Sequence, residues 1–430
     1  MFDNENILNM SKSNGFIKRI RKIRPIPLVE AVLFSNDDPS KVSLNDIAMY
    51  LDFKFGIKLT RQAVKKRFNK NATNFLKQVL EGLLHSNLVD KVPVFSHSCF
   101  ERITIKDSTC NQLPDHFKSV YPGSGGAGSK SAVRIQFEYD LKNLKVLELG
   151  VSPFNHQDLH NAKETMADIR KNDLVLRDLG YVSLGVLKLI DNSEAWYISR
   201  LNPSISKIND ADTGDLLNFA KIERYMRKNN LSVLEKEVLL GTEKYRTRLV
   251  IELLPDEVKA ERIRKAEKYA KKKSTKISKQ RKAKFGLNLL LTNCSSKMIA
   301  ASEVRRIYGI RWQIEMTFKA WKQNIQFHKI KKMGVDRYEF LLYSKLIMII
   351  LQWKFYQTLD VITYAKSKKR VSLLKIYKAF ALIKEKFMFI LRGNRQCAKE
   401  ALSWLMDACN SHLLHDDRKG RINWRSTQII

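Results

Sequence analysis

The sequence predicts an α/β fold with helical regions at both ends, and three observations carry that expectation. Short β-rich runs and helical stretches follow one another in the order β-β-β-α-β-α-β from about residue 101 to 201. Helix-capping signals precede that span, and from about 336 the chain reads as helical, rich in Leu, Ile and aromatics. The chain has 430 residues, 44% hydrophobic, enough for a sizeable core divided among two or three domains.

The first element with a clear signature lies in SLNDIAMYLDFKFGIKLTRQAVKKRFN, which begins at Ser43. Ser43 followed by Asp46 matches a capping box that opens a helix. Gly56 marks a turn, and Thr60 can cap a second helix carrying Arg61, Gln62, Lys65, Lys66 and Arg67. Helix, glycine turn and basic helix is the order of a helix-turn-helix module, with Arg61 and Lys65 as DNA contacts. Two ordinary surface helices of a small helical domain fit the same residues. Residues 1–95 are expected to form a separate helical unit in either reading.

ERITIKDST, SAVRIQFEYDL and LKVLELGVSP then read as three strands, HNAKETMADIRK as a helix, and DLVLRD as a strand ending in an acid. YVSLGVLKLIDN reads as a helix and AWYISRL as a strand, which completes the span 96–202. The glycine-rich PGSGGAGSK between the first two strands is read as a flexible hairpin connection. Its lysine does not directly follow the last glycine, and a strand comes next, so a phosphate-binding loop does not fit.

From 203 to 285 the composition shifts. LSVLEKEVLLGTEKYRTRLVIELLP alternates like an antiparallel hairpin, and the Lys/Arg-rich KAERIRKAEKYAKKKSTKISKQRKAKF follows it. A run of like charge is commonly a solvated helix face. Its place between two strand-like segments also suits a DNA-facing insertion, with Lys271, Lys272 and Lys273 as contacts. FGLNLLLTN restores a strand in 286–335, and 336–430 follows as a helical region.

Charge narrows the partners. Lys and Arg number 78 against 44 acids, a net charge of +34, which points to a polyanion and most simply to nucleic acid. The five cysteines are odd in number and lack any CxxC pair, so neither a zinc site nor a disulfide framework is supported. A reducing cytoplasm fits them. The polar amino terminus does not read as a signal peptide. LIMIIL is too short to span a bilayer, so no membrane partner is expected.

Within YGIRWQIEMTFKAWKQNI one carboxylate stands in a basic stripe. At about 100° per residue, Tyr308, Arg311, Glu315, Lys319 and Lys322 fall within an arc of roughly 80°. Ile307, Ile310, Ile314, Phe318, Trp321 and Ile325 fill the neighbouring arc as a core face. Gly309 can kink the first turn. Glu315 has ion-pair partners at helical spacing in Arg311 and Lys319. Two acids elsewhere open a second reading. Asp107 closes ITIKD and Asp178 closes DLVLRD, each placed at the carboxyl end of a strand, where α/β sheets collect ligand-binding groups. Turn or cap roles would also suit such residues. Three separated acids in so basic a chain suit a divalent metal beside phosphate, because Mg²⁺ takes oxygen ligands and needs neither His nor Cys.

The spacing Tyr308-x2-Arg311-x3-Glu315-x6-Lys322, with DSTCNQLP at Asp107 and DLVLRDLGY at Asp178, resembles the Y-R-E-K branch of DDE transposases from bacterial insertion sequences. The resemblance spans about 100 to 330. It implies a ribonuclease H-like catalytic core interrupted by a mainly β insertion. Asp107, Asp178 and Glu315 would be the catalytic metal ligands, holding two Mg²⁺ ions per site, with Mn²⁺ as a substitute. Tyr308, Arg311 and Lys322, with Lys319 and Trp312, would contact DNA. It further implies recognition of terminal inverted repeats, cut-and-paste cleavage and strand transfer on double-stranded DNA through a hairpin, and a homodimeric synaptic complex. Its C-terminal helices would support dimerisation, and its location would be the nucleoid of a bacterial cytoplasm. A catalytically inactive DNA-binding relative and a nuclease on the same fold are the alternatives.

Overall fold

The structure is a computed structural model. It describes residues 4–415 except 20–23, 36–40, 86–98, 126–128, 206, 276, 278, 325–329 and 331–332, so the expected boundary at 95/96 lies outside the described residues. Five helices come first: α1 (Asn4–Ser13), α2 (Pro25–Phe34), α3 (Leu44–Phe55), α4 (Arg61–Lys65) and α5 (Lys70–His85). The capping box is present, with Ser43 and Asp46 each bonding the other's backbone N–H, and α3 ends at Gly56 in the left-handed conformation (φ 65°). Thr60 caps α4 as expected.

These helices do not stand apart as a separate unit. Leu28, Ile47 and Phe75 belong to the same apolar cluster as the C-terminal helices. Glu30, fully buried on α2, accepts from Tyr50 and from Arg392 near the other end of the chain. The reason is visible in PIPLVEAVLF: α2 is apolar around most of its circumference and needs cover on more than one side.

The strands follow as β1 (Arg102–Leu113), β2 (Ser131–Asp140) and β3 (Lys145–Pro153). After α6 (Asp158–Glu164), β4 (Asp173–Arg177), α7 (Leu184–Asn192) and β5 (Trp196–Arg200), the expected β-β-β-α-β-α-β order is complete. β1, β2 and β3 form an antiparallel meander, while β4 pairs parallel with β1, and β5 pairs parallel with β4. The glycine-rich segment lies in the β1–β2 connection. At Gly123 a Cβ would fall 2.3 Å from the Ser129 carbonyl oxygen, so the close approach of the two chain segments requires glycine.

Residues 203–285 contain β6 (Ile208–Asp210), α8 (Phe219–Lys228), β7 (Val233–Leu240), β8 (Tyr245–Leu253), α9 (Asp256–Lys272) and α10 (Lys279–Lys284). The β7–β8 hairpin is as expected, but the segment is not mainly β: its three helices hold more residues than its three strands. KAERIRKAEKY is built of strong helix formers without a β-branched run, apart from one Ile, and propensity prevails on this exposed stretch. Nor is the segment a separate sheet. β9 (Leu287–Thr292) pairs antiparallel with both β5 and β8, giving one nine-stranded sheet in the order β3-β2-β1-β4-β5-β9-β8-β7-β6.

The chain ends in α11 (Ala301–Gly309), α12 (Trp312–Asn324), α13 (Val335–Ser367), α14 (Leu373–Leu382), α15 (Lys384–Leu391) and α16 (Arg395–Ser411). α12 seals one sheet face: Trp321 is fully buried, its ring 4.9 Å from that of Phe137, and its indole N–H donates to Tyr377 at 2.9 Å. The LIMIIL run lies within α13, buried throughout. Among the described residues no helix is long and apolar enough to cross a membrane.

Candidate active site

Sheet register places the first two acids together. Lys106 is the last β1 residue paired with β4, opposite Arg177, so the next step along both strands brings Asp107 level with Asp178. Asp178 follows the last residue of β4, at a strand end as expected. Asp107 does not end its strand. β1 runs on to Leu113 because its pairing with β2 continues through Leu113↔Ser131, and only the parallel partner stops. The carboxylate therefore projects from an intact strand, where its neighbour β4 has already turned away.

The third acid comes from a helix that is broken where a continuous one was expected. α11 ends at Gly309, and α12 begins at Trp312. Ile310 and Arg311 form the joint, and the kink allowed for at Gly309 is present. Glu315 sits in the first turn of α12, where the helix N-terminus favours a carboxylate. The expected core face holds, since Ile307, Ile310, Ile314, Phe318 and Trp321 are all buried, while Ile325 lies outside the described residues.

All three acids converge on one side chain. The Arg311 guanidinium donates to Asp107 Oδ2 at 3.1 Å and to Glu315 Oε1 at 2.5 Å, and lies 3.9 Å from Asp178 Oδ1. Burial acts to lower the Arg311 guanidinium, but Tyr308, Asp178, Asp107 and Glu315 together hold it above its ordinary value. Asp107 is the most enclosed acid. Burial pushes its carboxyl up to about 6, against the Ser108 backbone N–H and Arg311, which pull it down, while Asp178 and Glu315 push it further up. Among the described residues no three acidic, histidine or cysteine side chains stand close enough to share an ion. The guanidinium stands among these three, a positive charge surrounded by oxygen acceptors. An all-carboxylate set gathered round a positive charge has the donor chemistry of a hard divalent ion.

The remaining sequence candidates divide into two groups. Tyr308 and Arg311, expected to face DNA, are buried at 3% and 8% exposure. The Tyr308 hydroxyl donates to the Arg177 carbonyl, while Arg311 is engaged with the acids. Trp312 is 52% exposed, Lys319 is exposed and Lys322 half-buried, all on α12 beside the acids. Arg61 and Lys65 lie at a distance and line a cleft of about 510 Å³ between α4 and the start of α13. Lys271, Lys272 and Lys273 are exposed at the end of α9.

Two features escaped the sequence reading. Arg134 on β2 donates to Ser108 at 2.9 Å and to Asp158 at 2.6 Å, bracing the strand next to Asp107. A Cβ at Gly180 would meet Asp158 Oδ2 at 3.0 Å, so the turn after Asp178 packs against this same brace. No local signal marks these residues, which meet only through the sheet. The second is Arg200 at the end of β5. β5 pairs with β4 up to Leu176↔Ile198, and Arg200, two residues on, ends β5 with its guanidinium over the Tyr308 ring. A basic residue closing AWYISR, as an acid closes DLVLRD, was the available signal.

A family model described as the transposase DDE domain matches residues 98–351. The chain is 30% identical over 392 residues to the transposase for insertion sequence element IS231B of Bacillus thuringiensis subsp. berliner, covering 87% of this chain and 81% of that protein. It is 29% identical over 392 residues to the transposase for IS1151 of Clostridium perfringens, covering 87% and 83%. A solved piggyBac transposase synaptic complex with hairpin DNA aligns with a TM-score of 0.45 and 9% identity, over 99% of this chain and 86% of that one. By the extent of the domain match and the relatives' coverage, this chain belongs to the DDE transposases of bacterial insertion sequences.

Proposed function

We propose that Asp107, Asp178 and Glu315 are the catalytic carboxylates of this transposase, on a ribonuclease H-like core of the Y-R-E-K branch. One observation supports the reading above all: three acids far apart in sequence converge on a single guanidinium at the edge of parallel strands. The meander followed by two parallel strands is the order such a core requires. The carboxylates would hold divalent metal, two Mg²⁺ or Mn²⁺ ions in the full site. Bound there, such ions polarise a phosphodiester and lower the pKa of an attacking water.

The chain's own side chains account for the rest. Arg311 keeps the carboxylates gathered while no other cation is bound. On release its planar donor fork suits a phosphate oxygen. Lys319, Lys322 and Trp312 present charge and an aromatic face along α12 to the incoming strand. Double-stranded DNA carrying the terminal inverted repeats is the substrate. Strand cleavage is followed by attack of the freed 3′ hydroxyl on the opposite strand and then on target DNA, within a homodimeric synaptic complex. Residues 1–95 and the basic insertion 203–285 supply DNA contacts through Arg61, Lys65 and Lys271–Lys273. The region 336–430 supports dimerisation.

The test is metal-dependent nicking of a duplex carrying the element's ends. Asp107→Asn, Asp178→Asn and Glu315→Gln should each reduce cleavage by at least about 10³-fold, a loss of roughly 4 kcal/mol or more of transition-state stabilisation, with end binding retained. Persistent cleavage in any of the three would remove that residue from the site. Binding without cleavage by the wild-type chain would favour the inactive DNA-binding relative, and cutting without joining would favour a nuclease.

A further inference from the structure

Next to the three acids lies a group of cations that the proposed chemistry does not use. Arg200 closes β5, whose pairing with β4 runs to Leu176↔Ile198, two residues before Asp178 on the neighbouring chain segment. Its guanidinium sits 5.8 Å from the centre of the Tyr308 ring, and the Arg311 guanidinium lies 5.9 Å from that same centre. Tyr308 thus ties Arg200 to the carboxylate cluster. Among the described residues Arg200 makes no ion pair, and it is exposed.

Two more arginines lie nearby, from different elements. Arg262 on α9 donates to the Leu287 carbonyl at 3.2 Å and to Asn288 Oδ1 at 2.8 Å. Arg305, one turn before Tyr308 on α11, lies 3.6 Å from Glu252 Oε2, and that same oxygen accepts from Asn288 at 2.7 Å. Burial, followed by the charges of Arg200 and Arg305, pushes the Arg262 guanidinium below its ordinary range, and Glu252 only partly offsets them. Asn288 links Arg262 to the carboxylate that Arg305 faces, and Arg200 on β5 is close enough to act on Arg262 electrostatically. Arg262 is held against β9 and Arg200 rests on the Tyr308 ring, but among the described residues Glu252 is the one carboxylate paired with any of the three, and Arg305 is 45% exposed.

We propose that Arg200, Arg262 and Arg305 form a phosphodiester-binding subsite beside the carboxylates, holding the DNA backbone where it passes from the scissile phosphate toward α9. This deepens the proposed function, on which it rests for the location of the scissile phosphate. The excess of positive charge suits a polyanion, and guanidinium forks suit phosphate oxygens. Both a transposon end and a target duplex carry such a backbone, and the experiment separates them.

The measurement is the salt dependence of DNA binding by the full chain, with a chelator present so that no strand is cut. Removing one phosphate-binding side chain should reduce the slope of log K against log[salt] by about 0.9. Arg200→Gln with Arg305→Gln should therefore flatten the slope by about 1–2, and Arg200→Lys with Arg305→Lys should largely restore it. Single Arg200→Gln, at an exposed side chain, serves if the double variant melts early. Flattening with an end-containing duplex assigns the strand to the transposon end. Flattening confined to capture of a second, end-free duplex by the preformed end complex assigns it to the target. An unchanged slope in both arms overturns the subsite while leaving the carboxylate assignment intact. Absence of metal-dependent cutting by the wild type would overturn that assignment and the placing of the subsite beside a scissile phosphate, whereas a flattened slope would still put these arginines on the DNA backbone.

Discussion

Arg311 decides the state of the site at the scale of single residues. Its guanidinium neutralises part of a cluster that would otherwise hold three negative charges, one of them on a carboxyl already raised to about 6 by burial. Arg311→Ala should cost about 1–3 kcal/mol of stability. That is less than a fully buried pair would lose, because the side chains of Asp178 and Glu315 are 42% and 43% exposed and water screens them. Asp107→Asn in the same chain should recover part of that cost, since it removes the charge left without its partner. Urea unfolding of the two single variants and the double variant would show this as non-additivity of at least about 0.5 kcal/mol, and additive values would mean the contact carries no net energy. Of the site's residues, the acids and Arg311 were legible from the sequence because residue type and spacing mark them. Arg134, Asp158 and Gly180 were not, because their relation is a cross-strand contact without a local pattern.

At the scale of elements, two departures share one cause. The helix expected through Tyr308–Lys322 breaks at Ile310–Arg311, and the strand expected to stop at Asp107 runs on to Leu113. Periodicity locates an element's faces but says little about where a neighbour's hydrogen bonds begin or end. α13 offers a test of what burial does to charge. Lys354 is 6% exposed on this helix, and burial lowers its amine to about 8. Its ordinary value is 10.5, so between pH 8 and 10.5 the unfolded chain binds the proton that the folded chain has released. This group's contribution therefore rises with pH across that window, by about 1–3 kcal/mol, and is flat below it. Other groups titrate there too, so the comparison is with Lys354→Met. The wild type should gain on the variant as pH rises from about 8 to about 10, measured by urea midpoints. A constant difference would mean the amine keeps its ordinary value.

For the whole molecule, the net charge of +34 is spread over elements far apart in sequence. Because β9 pairs with both β5 and β8, the basic segment 203–285 is joined edge to edge with the strands that carry the acids. α9 thereby reaches from Arg262, which bonds to Leu287 and Asn288 of β9, to the exposed Lys271–Lys273 at its far end. If DNA follows that helix, Lys271→Ala, Lys272→Ala and Lys273→Ala together should flatten the salt dependence of binding by up to about 3, with the melting temperature unchanged. An unaltered slope would restrict the contact surface to the neighbourhood of the acids.

The amino-acid order by itself carried the class of fold, the succession of strands and helices from 101 to 201, the basic character and the choice of the three acids proposed as catalytic. Each is written in composition, in side-chain period or in spacing along one element. Only the folded chain decided that β1 passes beyond Asp107, that segment 203–285 shares the sheet of the three acids, that the N-terminal helices share a core with the C-terminal ones, and that Arg200 and Arg311 flank the Tyr308 ring. Those facts depend on which strands and helices become neighbours. Pairing between distant segments is chosen by the burial of whole faces against one another, a property that no single stretch of sequence contains.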